Sequence, residues 1–451
     1  MLLHLSLVKN IFALVFAFAI ILESALPADA QRRRGGLPLV RDAEIEALIQ
    51  DYTAPLFKAA GIHGRNVEVF LLNRNEFNAF VTGTRMFINT GAIMQAATPN
   101  EVIGVFAHET GHIIGGHLTR LRDSLEKAQI LSVLGLLAGA GAAASGSADA
   151  GAAIALGSGS AVRRNLLKYR RSDEMAADRT GVKLLNQTKQ SSLGMLKTFE
   201  RLGQNPLFSS GRLDPYAISH PLPRERIALL RTVAQESPYF GKRDSEQLQA
   251  RHDMARAKIA AYSGGASLVR NIFRKNLNGP AGTYGIAVAH YLQGSAKKGL
   301  KMMDGLLKRQ PQNPYFHEMR GEMLLRSGKA TQAVEAFQKA VKFDRRNNGL
   351  IRIQLGHALI ETGKKANLEA AVKTLKAGIG RDKYSSRGYG LLARAYAQQG
   401  NQTLAIAATA EEKFLQGQIK QAKQFAARAL PRVKRGSPQW RRLQDIMDFS
   451  E

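Results

Sequence analysis

The sequence predicts an α+β fold that is mainly α: a mixed domain with a few short strands, then an α-solenoid. Three observations predict it. Apolar residues recur at helical spacing over most of the chain. Strand-like patterning is confined to the stretch between residues 67 and 90. From about Gly279 onward, small residues return with a period of 34. The chain has 451 residues, of which 45% are hydrophobic. That length suits two or three domains of about 100–200 residues each.

The first 30 residues read as a targeting segment rather than as fold. Lys9 supplies a weak positive start, Ile11 to Leu22 is an apolar run, and Ala28-Asp29-Ala30 places small residues where a signal peptidase reads them. An uncleaved anchor is the alternative, but the run is short against the ~20 residues a bilayer span needs. The absence of cysteine excludes disulfides and lipid attachment through an N-terminal Cys, and an exported chain without disulfides fits a bacterial periplasm. Lys and Arg number 64 against 36 Asp and Glu, for a formal net charge of +28. Such a charge favours anionic partners. No segment alternates basic with aromatic residues, and no nucleic-acid module is recognisable, so nucleic acid is excluded as a partner.

The elements follow in order. Residues 41–60 form an amphipathic helix, with Ile45, Leu48, Ile49, Tyr52 and Leu56 at helical spacing. Val67–Asn73 and Arg85–Thr90 read as strands with Asn78–Gly83 between them. Thr98 starts a strong helix that runs to about Asp123, with Pro99 at its first position and Glu101 completing a capping box. Residues 131–161 are almost wholly Ala, Gly, Ser and Leu. They read as a low-complexity loop or hairpin, or alternatively as a flap over the site or a membrane contact. Helical patterning resumes over 165–235, and a helical linker over 236–278 leads into the repeats. There Ala287, Gly299, Met303 and Leu306 recur 34 positions later as Gly321, Ala333, Phe337 and Ala340. Leu355-Gly356 opens a third unit, with extra residues around Lys364–Asn367; Ala393, Tyr396 and Ala405 mark a fourth. Gly or Ala at these offsets lets paired helices approach closely, a pattern that resembles tetratricopeptide repeats over 279–430. Residues 431–451 form a basic tail or capping helix.

The chemistry lies in His108-Glu109-Thr110-Gly111-His112, an H-E-x-x-H on a predicted helix. Histidines four apart share a face and can reach one zinc ion, and Glu109 is placed to take a proton from a zinc-bound water. Gly111 weakens the helix by about 1 kcal/mol relative to Ala, which suggests that something approaches closely there. A catalytic zinc usually takes three protein ligands. Ser172-Asp173-Glu174-Met175-Ala176-Ala177-Asp178 is the best source of the third, with Glu174 as ligand and Asp178 behind a histidine. His117 and Asp173 are the rivals, though His117, five residues after His112, falls off the zinc-facing side. His220, in Ser219-His220-Pro221, is either a histidine over the zinc or a solvated turn residue. Over the zinc it would stabilise an oxyanion or fill the open position. Arg226 pairs with Glu174 or Asp178, or meets a substrate carboxylate.

At these residues the sequence resembles the zinc metallopeptidases of the HtpX and CAAX-protease type. The resemblance rests on Glu101 to His117, on Glu174-x-x-x-Asp178 and on Ser219-His220-Pro221. The order of export signal, catalytic domain and repeats most resembles the BepA-like periplasmic branch. The transmembrane helices of HtpX-like members are missing, which puts a membrane-embedded site in doubt. The resemblance implies a zincin-like metallopeptidase domain over 36–235 followed by a tetratricopeptide α-solenoid, with one zinc (Zn2+) per chain on His108, His112 and Glu174, and Glu109 as the base. Asn78, Ala79 and Phe80 resemble an edge strand that takes extended substrate by main-chain pairing. The implied activity is hydrolysis of internal peptide bonds in unfolded or misassembled envelope and outer-membrane proteins. The repeats would hold substrate or the outer-membrane assembly machinery, with peripheral membrane contact as a further partner. The competing expectation is a non-proteolytic chaperone or scaffold acting through the repeats.

Overall fold

The computed structural model describes residues 38–62, 67–124, 170–204, 216 and 220–450. The targeting segment and the Ala/Gly-rich stretch at 131–161 lie outside the described residues. From Val40 onward the chain forms one compact unit. Among the described residues, no helix is long and apolar enough to cross a membrane.

Four short strands make one sheet of order β1-β2-β4-β3: β1 Leu39–Val40, β2 Glu68–Leu72, β3 Ala79–Thr82 and β4 Arg85–Asn89. β4 runs parallel to β2, with Glu68 opposite Arg85, and antiparallel to β3, with Ala79 opposite Ile88. The β3–β4 hairpin closes over Gly83-Thr84, where Gly83 has φ +60°; two-residue hairpin turns require such angles. Met86 and Ile88 face the core with no exposure. β3 is left as the edge strand, packed against the helix that carries the H-E-x-x-H.

Helix α1 (Ala43–Ala59) is capped by Asp42, whose side chain accepts from the Ile45 N–H. All five apolar residues that marked this helix in the sequence are buried. α2 (Thr90–Gln95) leads to α3 (Pro99–Gly115), which is buried on every side from Pro99 to His112. Two details of α3 differ from expectation. The Thr98 hydroxyl makes no capping bond to the helix; Glu101 reaches back to the Ala97 N–H at 3.1 Å and is held by Arg201 at 2.9 Å. The helix also stops at Gly115 instead of running to Asp123. Gly116 takes the left-handed conformation, φ +63°, and its N–H bonds to the His112 and Ile113 carbonyls, a helix stop that glycine makes at little cost. A second helical stretch then covers 117–124.

Residues 170–187 are helical and cross α3. α4 (Leu193–Gly203) and α5 (Arg224–Gln235) complete the first half. α6 (Glu246–Ile272) occupies most of 236–278 and pairs with α7 (Pro280–Leu292). Its Ala255, Ala257 and Ala260 belong to the same buried cluster as Phe106 and Tyr52 of the first half and Met303 of the repeats.

The repeats are helix pairs: α7 with α8 (Ala296–Arg309), α9 (Pro314–Arg326) with α10 (Ala330–Phe343), α11 (Gly349–Glu361) with α12 (Lys365–Arg381), and α13 (Ser386–Gln398) with α14 (Gln402–Leu415). α15 (Ile419–Ala429) and α16 (Pro438–Asp448) follow. The small residues act as the spacing implies. A Cβ on Gly299 would lie 2.7 Å from the Ala287 carbonyl oxygen, and one on Gly321 would lie 2.9 Å from the Phe337 ring.

Candidate metal centre

His108 and His112 lie on the face of α3 that meets helix 170–187, and the two helices cross almost backbone to backbone. A Cβ on Gly111 would stand 2.7 Å from the Ala177 carbonyl oxygen and 2.9 Å from its Cα. This approach brings Glu174 up to the histidines. His108 Nε2 is 3.0 Å from His112 Nε2 and 3.4 Å from Glu174 Oε2, and His112 Nε2 is 3.5 Å from Glu174 Oε1. His220 joins them, with Nδ1 3.3 Å from His108 Nε2 and 3.1 Å from Glu174 Oε2. All four residues are nearly or fully buried.

These groups are held from behind. Asp178, one turn after Glu174, places Oδ1 2.9 Å from His108 Nδ1. Arg226 at the start of α5 grips Asp178 with two bonds, Nε to Oδ2 at 2.7 Å and Nη2 to Oδ1 at 2.8 Å. Its Nη1 reaches Glu174 Oε2 and the Pro221 carbonyl, both at 2.8 Å. Arg226 therefore pairs with both acids at once. His117 lies with Nδ1 2.8 Å from His112 Nδ1. The break at Gly116 turns it back onto that ring instead of away from the site. Tyr216 stacks on the His220 ring at 4.6 Å, and Phe199 meets His108 edge-on at 5.3 Å.

The donor set fits a metal ion. Asp178 Oδ1 lies 2.9 Å from His108 Nδ1, which leaves His108 Nε2 to face that of His112. Two ring nitrogens and a carboxylate at 3.0–3.5 Å repel one another unless a proton or a metal cation lies between them. Tetrahedral bonds of about 2.0–2.1 Å set ligand atoms about 3.3 Å apart, which is the spacing found. The titration pattern agrees. Burial pulls the His108 pKa down, but Asp178 and Glu174 outweigh it and hold the ring at about 9; the acids that would keep a proton there would keep a metal. Burial and the neighbouring His108 drive His112 far down, so it offers a free lone pair. Burial alone would raise Glu174, but His220 and His108 hold its carboxyl well below the usual range. Glu109 differs from all of these. It is fully buried, its two oxygens accept no hydrogen bond, and burial raises its pKa. The nearest ring nitrogen is His220 Nε2, 3.4 Å from Oε1. A buried carboxylate without a hydrogen bond beside a cluster of metal donors is a group kept free for chemistry.

The structure thus brings Glu109, His108, His112, Glu174, His220, Asp178 and Arg226 into one centre. Ala79 and Phe80 lie on β3, which packs against α3, and Asn78 lies just before that strand. Sequence reasoning missed the closing roles of His117 and Tyr216. The Gly115-Gly116 pair was the available signal for the first; Tyr216 gives none.

Fold and centre together define a metallopeptidase with a repeat arm. Residues 40–234 match the model of peptidase family M48, and residues 292–424 match a tetratricopeptide repeat model. The chain carries a peptidase family M48 domain followed by tetratricopeptide repeats. Among curated proteins it is similar to the beta-barrel assembly-enhancing protease of Escherichia coli K12, with 26% identity over 92% of this chain and 85% of that protein. The same-named protein of Yersinia pestis is 25% identical over 90% of this chain and 83% of its own length. Among solved structures, one of MamA is 19% identical, covering 37% of this chain and 96% of that chain at a TM-score of 0.32.

Proposed function

We infer that this protein is a periplasmic zinc-dependent endopeptidase that cleaves internal peptide bonds of misfolded or misassembled envelope and outer-membrane proteins. The observation that carries the reading is the buried Glu109 carboxylate, without a hydrogen bond, beside His108, His112 and Glu174, a set that fits one zinc ion. Bound there, zinc would polarise the scissile carbonyl and acidify water. The chain's own groups do the rest. Glu109 takes a proton from the attacking water and returns it to the leaving amine, and its raised pKa suits both transfers. Asp178 fixes the His108 ring, and Arg226 fixes Asp178 and Glu174. β3, at an edge of the sheet among the described residues, takes extended substrate along Ala79 and Phe80, with Asn78 just before it, by main-chain hydrogen bonds, which ask for little side-chain identity. The relatives' printed name supports assembly of outer-membrane barrels as the setting, with the repeats holding substrate or the assembly machinery.

His220 Nδ1 occupies the fourth corner of the donor set. In our reading His220 closes the resting site and yields to substrate. The alternative role is stabilisation of the oxyanion.

The test is casein hydrolysis and bound zinc, measured together on the exported chain. Glu109→Gln is expected to keep one zinc and lose hydrolysis; hydrolysis at the wild-type rate would show that Glu109 is not the base. Absence of hydrolysis and of zinc in the wild type would favour a scaffold acting through its repeats. His220→Ala raises basal hydrolysis if the residue closes the site, and lowers turnover about 10²–10³-fold if it stabilises an oxyanion.

A further inference from the structure

Lys308, Lys342 and Lys376 stand 34 residues apart on α8, α10 and α12, and Lys339 and Lys373 repeat the interval just before the last two. All five are exposed. Among the described residues, none of the five is in an ion pair, the lysine so engaged being Lys258. An interval equal to the repeat length puts equivalent residues at equivalent places on successive helix pairs. The first helices of successive repeats touch, α9 with α11 and α11 with α13. They therefore line the inside of the curve, and α8, α10 and α12 present their free faces outward. Acids are few on these faces. Asp304 is tied to Arg320, while Glu335 and Glu369 precede Lys339 and Lys373 by one turn.

Helix-end electrostatics explains part of this row. Lys308 and Lys342 lie in last turns, where a cation complements the carbonyl ends. It does not explain α12, where Arg381 serves the last turn and Lys373 and Lys376 lie before it. A folded protein partner would ask for aromatic or arginine anchors in pockets. The large apolar side chains exposed in the described chain lie elsewhere, none of them on α8, α10 or α12, and the exposed arginines there, Arg309 and Arg381, are last-turn charges. A row of hydrated, flexible point charges suits a diffuse anionic field.

We propose that the outer face of the repeats, along Lys308, Lys342 and Lys376, docks on a bilayer surface bearing anionic phospholipid headgroups. The docking is electrostatic and peripheral. It leaves the inner face of the repeats free, and the chain's net charge of +28 adds long-range attraction.

The experiment is flotation of the full chain with phosphatidylcholine vesicles containing about one-third phosphatidylglycerol, against pure phosphatidylcholine, at low and high salt. Binding is expected to the anionic vesicles alone and to be lost at high salt. Lys308→Glu/Lys342→Glu/Lys376→Glu is expected to weaken it roughly 100-fold. A control with the same charge change on the peptidase half, Lys58→Glu/Lys183→Glu/Lys197→Glu, is expected to weaken it far less. The Gln versions of the ladder triple remove charge without adding repulsion, and serve if the Glu triple misfolds. Equal loss in the ladder and control triples would reduce the effect to net charge and overturn the proposal. So would binding to neutral vesicles, or capture by polyglutamate with no vesicle binding, which would point to an acidic protein instead.

Discussion

At the scale of single residues the centre is built by exclusion of competing partners. Asp178 gives one oxygen to His108 Nδ1 and both to Arg226, so it has little left for any other group. The arginine in turn steadies Glu174. Asp178→Asn would keep the size and lose the charge. Its amide could still approach His108, but it would no longer favour the tautomer with hydrogen on Nδ1, and Arg226 would lose its bidentate partner. A loss of about 10–100-fold in zinc affinity is expected, read by competition with a coloured chelator. Casein hydrolysis should return at saturating zinc. Unchanged affinity would mean that Arg226 and Glu174 alone orient the ligands. Glu109 needs the opposite treatment, since its burial without hydrogen bonds is what raises its pKa.

At the scale of elements, the approach of α3 to helix 170–187 sets the ligand spacing. Gly111 was legible in the sequence as a position that costs the helix stability, so a close neighbour was expected; only the structure names Ala177 as that neighbour. Replacing Gly111 by Ala would help the isolated helix by about 1 kcal/mol. In the folded protein it sets a methyl carbon 2.7 Å from the Ala177 carbonyl oxygen. The neighbour is backbone, so the helices must part, and Glu174 moves with its helix. Gly111→Ala is expected to lower zinc occupancy and hydrolysis together while helical content stays near wild type by circular dichroism. Full occupancy would show that the ligands follow their own rotamers instead of the helix crossing. The same comparison shows why the rest was not legible. H-E-x-x-H and E-x-x-x-D are local periodicities, and helical spacing alone puts their members on one face. His117 could not be placed that way, because its position depends on Gly116 ending α3, and the expectation of a helix continuing to Asp123 turned it outward. Tyr216 reaches His220 by tertiary packing with no periodic trace.

At the scale of the whole molecule, the question is where the peptidase ends and the arm begins. The patterning drew a helical linker at 236–278, and on that view a chain cut near residue 270 keeps everything the peptidase needs, since solenoids mostly contact their own neighbours. The packing argues otherwise. Lys258 of α6 is buried between Asp42, at 2.7 Å, and Glu44, at 3.4 Å; the Tyr284 hydroxyl of α7 donates to Glu44 at 2.8 Å. α7 also packs so closely on α6 that a Cβ on Gly285 would lie 3.0 Å from the Ala257 carbonyl oxygen. A cut at 270 would bare this face of α6 and leave Glu44, held above its usual pKa by burial, without its tyrosine donor. Losing a hydrogen bond to a buried charged group costs about 1.5–3 kcal/mol, a sizeable share of what a domain has. The contiguous core continues through Met323 of α9, and Phe337 of α10 covers Gly321 on that helix. A chain ending at Asp344 would keep all of these contacts. It would lose the ion pairs of Arg346 with Asp51 and of Arg41 with Asp382, which are partly exposed and worth little, and it would bare the face of α10 around Phe337 and Ala340 that packs on Ile353 and Ile351 of α11. The expected outcome is that the chain ending at 344 melts cooperatively, binds zinc and cleaves casein, while the chain ending at 270 is poorly soluble and melts well below it. Comparable melting of the two would mean that the repeats add nothing to the peptidase core, and that the Tyr284 bond to Glu44 is dispensable.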